Sequence, residues 1–158
     1  MDWIFNDGGR WDAGFRPRKT GDCATRAIAI ATELPYRQVW EELEARQREY
    51  VMTSRARWAR TAREIGGRKL ELEISPDHGT HKVILNGFLR DQGWLWTPTM
   101  GIGTGARVHL RADELPLTGR LVVSLSRHWA AVVDGTVHDT YIDDRDGRRT
   151  VYGIHSKP

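Results

Sequence analysis

Apolar positions divide the chain into a helical first half and a strand-like second half. Residues 1–19 carry Gly8, Gly9, Gly14 and Pro17 and hold no sustained period. Ala24, Ala27, Ile28 and Ala31 then fall at i, i+3, i+4 and i+7, which makes one face of a helix. Asp22 stands at its N-cap and Cys23 is its first residue. Pro35 restrains Leu34, so the helix ends near Glu33. Pro35 also suits the first turn of a second helix, where Tyr36, Val39, Trp40 and Leu43 repeat the spacing to about Tyr50. Thr53 or Ser54 caps a third over 55–65, stopped by Gly66-Gly67. The alternation in 68–74 (RKLELEI) predicts a short strand or an extended crossing segment, and Ser75-Pro76-Asp77 a turn. Thr80 caps a fourth helix over 81–92, with Ile84, Leu85, Phe88 and Leu89 inward and Gly93 closing it.

From Trp94 the period shortens to two. Strand-like runs cover 94–97, 106–110, 121–125, 128–133, 136–142 and 150–154, with turn signals at Asp134-Gly135 and Asp146-Gly147. Helices first and strands afterwards predict an α+β fold, with N-terminal helices packed on a mostly antiparallel C-terminal sheet. The 158 residues are the length of one domain. We read 1–19 as an extended lead-in and 20–158 as a single domain.

Composition narrows the function classes. Apolar residues make up 39%, which excludes a disordered chain, and the longest apolar runs are too short for a membrane-spanning helix. Residues 1–10 lack the basic and apolar regions of a secretory signal. The single cysteine, Cys23, forms no internal disulfide and suits a reducing cytosol. The formal net charge is only +3. Arg55, Arg57, Arg60, Arg63, Arg68 and Lys69 crowd together, but such a run is more often a solvated helix face than a nucleic-acid surface. His78 and His81 have a metal-ligand spacing without an evident third ligand. The Gly101, Gly103 and Gly105 run precedes a strand pattern, not the helix N-terminus that a phosphate cradle needs.

Chemistry concentrates in Cys23 and the 128–142 hairpin. If Asp134-Gly135 is a two-residue loop, Val133 pairs with Thr136, Ala130 faces Asp139 and His128 faces Tyr141. His128 and Asp139 then share one face as diagonal neighbours about 7–8 Å apart at the backbone. A loop one residue longer would put them on opposite faces. His138 and Trp129 point the other way and read as structural. A carboxylate on one imidazole nitrogen leaves the other free as a base. A thiol at a helix N-terminus is favoured as thiolate by the helix end and by a neighbouring imidazolium.

The segments GDCATRAIAIAT (21–32) and GRLVVSLSRHWAAVVDGTVHDTYI (119–142) resemble the papain-like cysteine peptidase superfamily. They are similar to its C39-like, bacteriocin-processing branch and to small bacteriophage-encoded members, as is WTPTMGIGTGARVHLRADELP (96–116). The resemblance covers most of 20–154, and the order Cys, His, Asp agrees with it. It implies a papain-like fold, with Cys23 as nucleophile, His128 as general base and acid, Asp139 orienting His128, and the Cys23 N–H forming half of an oxyanion hole. It also implies amide or peptide hydrolysis through a thioester, with no cofactor or metal, a protein or peptide substrate, and a cytoplasmic site (the bacterial host cytosol for a phage-encoded chain). The family's Gln before the Cys is missing, since 13–22 contain neither Gln nor Asn. Arg18, Lys19, Thr20 or a folded-back Asn6 would have to replace it. Asp22 opposes a thiolate unless it is engaged in capping. The alternative is a catalytically inactive phage interaction protein that binds a host protein on the same fold.

Overall fold

The computed structural model describes residues 1–16, 21–101 and 103–158. Helix α1 (Cys23–Thr32) is its centre, with every residue from Ala24 to Ala31 buried. A helix covered on all sides belongs inside a layer of other elements rather than on a surface. It ends where Glu33 takes a left-handed conformation (φ 61°). Helix α2 (Tyr36–Thr53) packs on it and runs one turn beyond the expected end. Helix α3 (Arg57–Ile65) stops at Gly66, φ +66°.

The chain then starts another helix, α4 (Gly67–Ile74), where the alternating pattern of 68–74 predicted a strand. Leu70 and Ile74, four residues apart, face Trp40 and Glu44 of α2 across a groove, and Lys69 pairs with Glu73 at 3.1 Å along the helix. Packing against α2 therefore overrides the period-two signal. A 3-10 turn (Pro76–His78), with the Ser75 hydroxyl accepting from the Asp77 N–H, leads to α5 (Lys82–Asp91). Ile84, Leu85, Phe88 and Leu89 of α5 are buried as expected.

The main sheet runs β1-β7-β6-β5-β8-β2. Its strands are β1 (Asp2–Phe5), β2 (Leu95–Pro98), β5 (Arg120–Leu125), β6 (His128–Val133), β7 (Thr136–Asp139) and β8 (Gly153–Ser156). The lead-in thus joins the domain rather than preceding it. Its β1 pairs in parallel with β7, Asp2 opposite Thr136 and Phe5 opposite Asp139, so the sheet is mixed. The 106–110 run contributes little strand. The two-residue β3 (Met100–Gly101) pairs with β4 (Gly105–Ala106), and His109 bridges Thr150. The fold is α+β, with α1, α2 and α5 packed around Val122 and Ala131 on one sheet face. Leu121, Val123, Leu125, Val132 and Val137 on the other face are covered by Leu110, Leu115 and Val151. No helix among the described residues is long and apolar enough to cross a membrane.

Gly153 of β8 lies beneath the Trp96 ring, which occupies the space a Cβ would take. Gly153→Ala should cost about 2 kcal/mol or more, because the indole is locked between the sheet and Lys82. A urea midpoint equal to that of the parent would refute this.

Candidate active site

The β6–β7 turn sets the geometry. Asp134 (φ 46°) and Gly135 (φ 76°) both occupy the left-handed region that a type I′ turn needs. The register is the expected one: Val133 opposite Thr136, Val132 opposite Val137, Ala131 opposite His138. The ladder stops there, so Ala130 and Asp139 are not laddered and β7 ends three residues earlier than its pattern implied. His128 and Asp139 nevertheless share a face, both buried, and His128 Nε2–H donates to Asp139 Oδ2. Cys23, half-buried at the first position of α1, lines one cleft with the same imidazole and favours its protonated form. With Nε2 taken by Asp139, Nδ1 is the nitrogen left for the thiol. The three sequence-predicted residues are therefore brought together.

Burial works against a charged His128. The hydrogen bond to Asp139 and the neighbouring Cys23 outweigh it and push its pKa up to about 9. Burial likewise opposes the Asp139 carboxylate, yet His128, the Thr140 N–H and Arg26 together hold its pKa below the usual range. The site thus sets an imidazole that holds its proton strongly on a buried carboxylate, beside the sulfur at the positive end of a helix. That combination favours a nucleophilic sulfur.

Asp22 does not cap α1, contrary to expectation; its side chain makes no cap hydrogen bond. Instead it is fully buried and accepts from Arg26 Nη1, from Arg10 Nη1 at 3.2 Å and from the Tyr36 hydroxyl at 2.6 Å. Two guanidiniums neutralise it, which removes the objection that it repels a thiolate. Arg26 continues the chain of charges, with Nη2 donating to Asp139 Oδ1 at 3.2 Å. One buried guanidinium therefore ties the residue before the nucleophile to the carboxylate that orients the imidazole. Arg26, Arg10 and Tyr36 were missed from sequence. The signal for Arg26 was present: an Arg inside an otherwise apolar helix, four residues after an Asp.

The lead-in folds back as the Asn6 idea required, but not to the thiol. Asn6 Nδ2 meets His138 Nδ1 at 3.2 Å and its Oδ1 accepts from the Gly8 N–H, so the amide is engaged by these two groups. Arg18, Lys19 and Thr20 lie outside the described residues. His138 and Trp129 point away from Asp139, as expected; Trp129 lies against His155, with ring centroids 6.0 Å apart. His78 lines the same cleft as Cys23, while His81 stacks on Trp58 with centroids 4.8 Å apart. Among the described residues no three potential ligands gather to hold a metal.

The thiol opens onto a cleft of about 570 Å³. Its lining includes Cys23, His128, Trp129 and Tyr141, with Gly79 and Thr80 contributed by the segment before α5. The Tyr141 hydroxyl lies 3.4 Å from His128 Nδ1, the ring nitrogen that Asp139 leaves free. The Cys23 N–H is the first of α1 and has no intrahelical acceptor, which suits it to donate to an oxyanion. Among the described lining residues there is no Gln or Asn. No family model, no curated protein and no solved structure matches this chain.

Proposed function

We propose that this chain is a cysteine-dependent hydrolase of papain-like type, cleaving an amide or peptide bond through a thioester. The observation that carries this reading is the grouping of Cys23, His128 and Asp139, in which the imidazole that lines the cleft with the thiol is hydrogen-bonded to a buried carboxylate. In the first half-reaction Cys23 Sγ bonds to the carbonyl carbon and its proton resides on His128. The tetrahedral oxyanion is met by the Cys23 N–H. Collapse breaks the C–N bond, and His128 delivers the proton to the leaving amine. In the second half, water attacks the thioester, His128 takes a proton from it, and the C–S bond breaks to release acid and thiol. Asp139 holds the imidazole in orientation throughout.

The missing family Gln supports a second reading, an inactive papain-like protein that binds a host protein. Loss of one oxyanion donor costs about 10²–10³ in rate. One experiment separates the two. Alkylation by iodoacetamide reports on Cys23 alone, because the chain has one cysteine. We expect modification at pH 6 about tenfold or more faster than for free cysteine, and a comparable loss in His128→Ala. A thiol that is inert, or indifferent to His128, would make Cys23 a packing residue and favour the binding protein.

A further inference from the structure

The cleft at Cys23 is charged on one side of the ledger only. Among its described lining residues there are the cations Arg26, Lys82 and Arg127 and no carboxylate. Arg26 is buried and engaged by Asp22 and Asp139, so it offers nothing to a ligand. Lys82 and Arg127 are different. Both are exposed, and among the described residues neither forms an ion pair. Lys82 is the first residue of α5 and lies over Trp96, Nζ 4.7 Å from the ring centroid, which holds the ammonium at the cleft instead of letting it range through solvent. Arg127 occupies the left-handed position (φ 55°) of the two-residue turn between β5 and β6, next to His128. That turn is itself held from below: buried Arg149 donates through Nη2 to the Ser126 carbonyl at 3.2 Å and through Nη1 to Asp143 at 2.6 Å. Two independent elements therefore each contribute a cation, unpaired among the described residues, to the lining of the cleft that holds the thiol. The first turns of α1 and α5, which both border the cleft, contain no acidic residue to offset this.

We propose that the cleft selects peptide substrates carrying a carboxylate side chain beside the scissile bond, received by Lys82 and Arg127. The inference rests on Cys23 being the nucleophile and adds the substrate's chemistry. A peptide fits better than a nucleic acid. The positive charge sits inside a cleft with the reacting sulfur, whereas the Arg-rich run of α3 and α4 lies on other elements and none of it lines the cleft.

The test reads local potential at the sulfur without needing turnover. Iodoacetate and iodoacetamide alkylate by the same displacement, in which the S–C bond forms as iodide leaves, and they differ in one negative charge. Potentials of several kT in a cleft of one sign concentrate an anion about tenfold or more. We expect the iodoacetate-to-iodoacetamide rate ratio at Cys23 to exceed that of glutathione by about tenfold and to fall with added salt. Lys82→Gln and Arg127→Gln should each lower the ratio about threefold, and the distant Arg60→Gln should leave it alone. A Glu-rich hexapeptide should protect Cys23 from iodoacetamide where its Gln counterpart does not. A ratio no higher than that of glutathione, or one unmoved by both substitutions, overturns the substrate class while fast, His128-dependent alkylation still upholds the hydrolase. Protection by a single-stranded oligonucleotide at lower concentration than by the Glu peptide also overturns it. Slow alkylation indifferent to His128 removes the hydrolase and this inference together.

Discussion

Arg26→Met should cost about 3–5 kcal/mol of folding stability, the largest effect expected of a single substitution here. Methionine fills similar space, so the loss is electrostatic rather than steric. It leaves Asp139 without its guanidinium and Asp22 with Arg10 and Tyr36 alone, both carboxylates still buried. An uncompensated buried charge is the expensive outcome, more so than the absence of the pair. Asp22→Asn added to Arg26→Met should therefore recover part of the loss, because it removes one of the stranded charges. The variant should also move the His128 titration upward, since Asp139 would lose its competing cation. Urea unfolding of the two single variants and the double, with the imidazole followed by NMR, measures both effects. A loss under about 1 kcal/mol for Arg26→Met would mean that the guanidinium is not what holds these elements together.

Stability should peak near pH 6.5 and decline on both sides, because two buried histidines are shifted in opposite directions. His155 of β8 lies between Trp96 and Trp129, with neither ring nitrogen hydrogen-bonded among the described residues. Burial, then the charge of Lys82, pulls its pKa down to about 4. The unfolded chain binds this proton below the ordinary value of about 6.5 and the folded chain does not. The stabilisation is therefore whole above 6.5 and drains away as pH falls towards 4. His128, raised to about 9, is the mirror case: its contribution is whole below 6.5 and is lost as pH rises through 9. Each arm amounts to about 2–3 kcal/mol. Below the usual carboxylate range, protonation of Asp139 steepens the acid arm. His155→Leu should flatten the acid side and His128→Gln the alkaline side. Urea midpoints at pH 4.5, 6.5 and 9 that do not move with these substitutions would refute the assignment.

The parts of the site legible from sequence were those fixed by short-range rules. A two-residue Asp-Gly turn sets a register, and the register puts His128 and Asp139 on one face. The apolar period beginning at Ala24 places Cys23 at a helix start. What stayed hidden depends on partners far along the chain. The β1 segment has no period because all four of its residues are exposed, and only the pairing with β7 makes it a strand. The alternation of Leu70, Leu72 and Ile74 favours a strand or extended segment, and packing against the neighbouring α2 makes it a helix. Asp22 looks like a cap locally, but its acceptors are claimed by Arg10, Arg26 and Tyr36.

The parallel pairing of β1 with β7 also bears on when the site comes into being. The β5–β6–β7 meander is closed by two tight turns and can assemble from neighbouring residues. By contrast, Asn6 meets His138 across 132 positions, and Gly8 and Arg10 from the same segment lie against α1 and Asp22. Contacts of such separation carry the largest closure entropy and belong late in folding. Until that first segment docks, Asp22 lacks one of its two guanidiniums and the start of α1 lacks a buttress. A newly made chain would thus carry its only thiol in an unassembled setting until the step that adds β1 to the sheet.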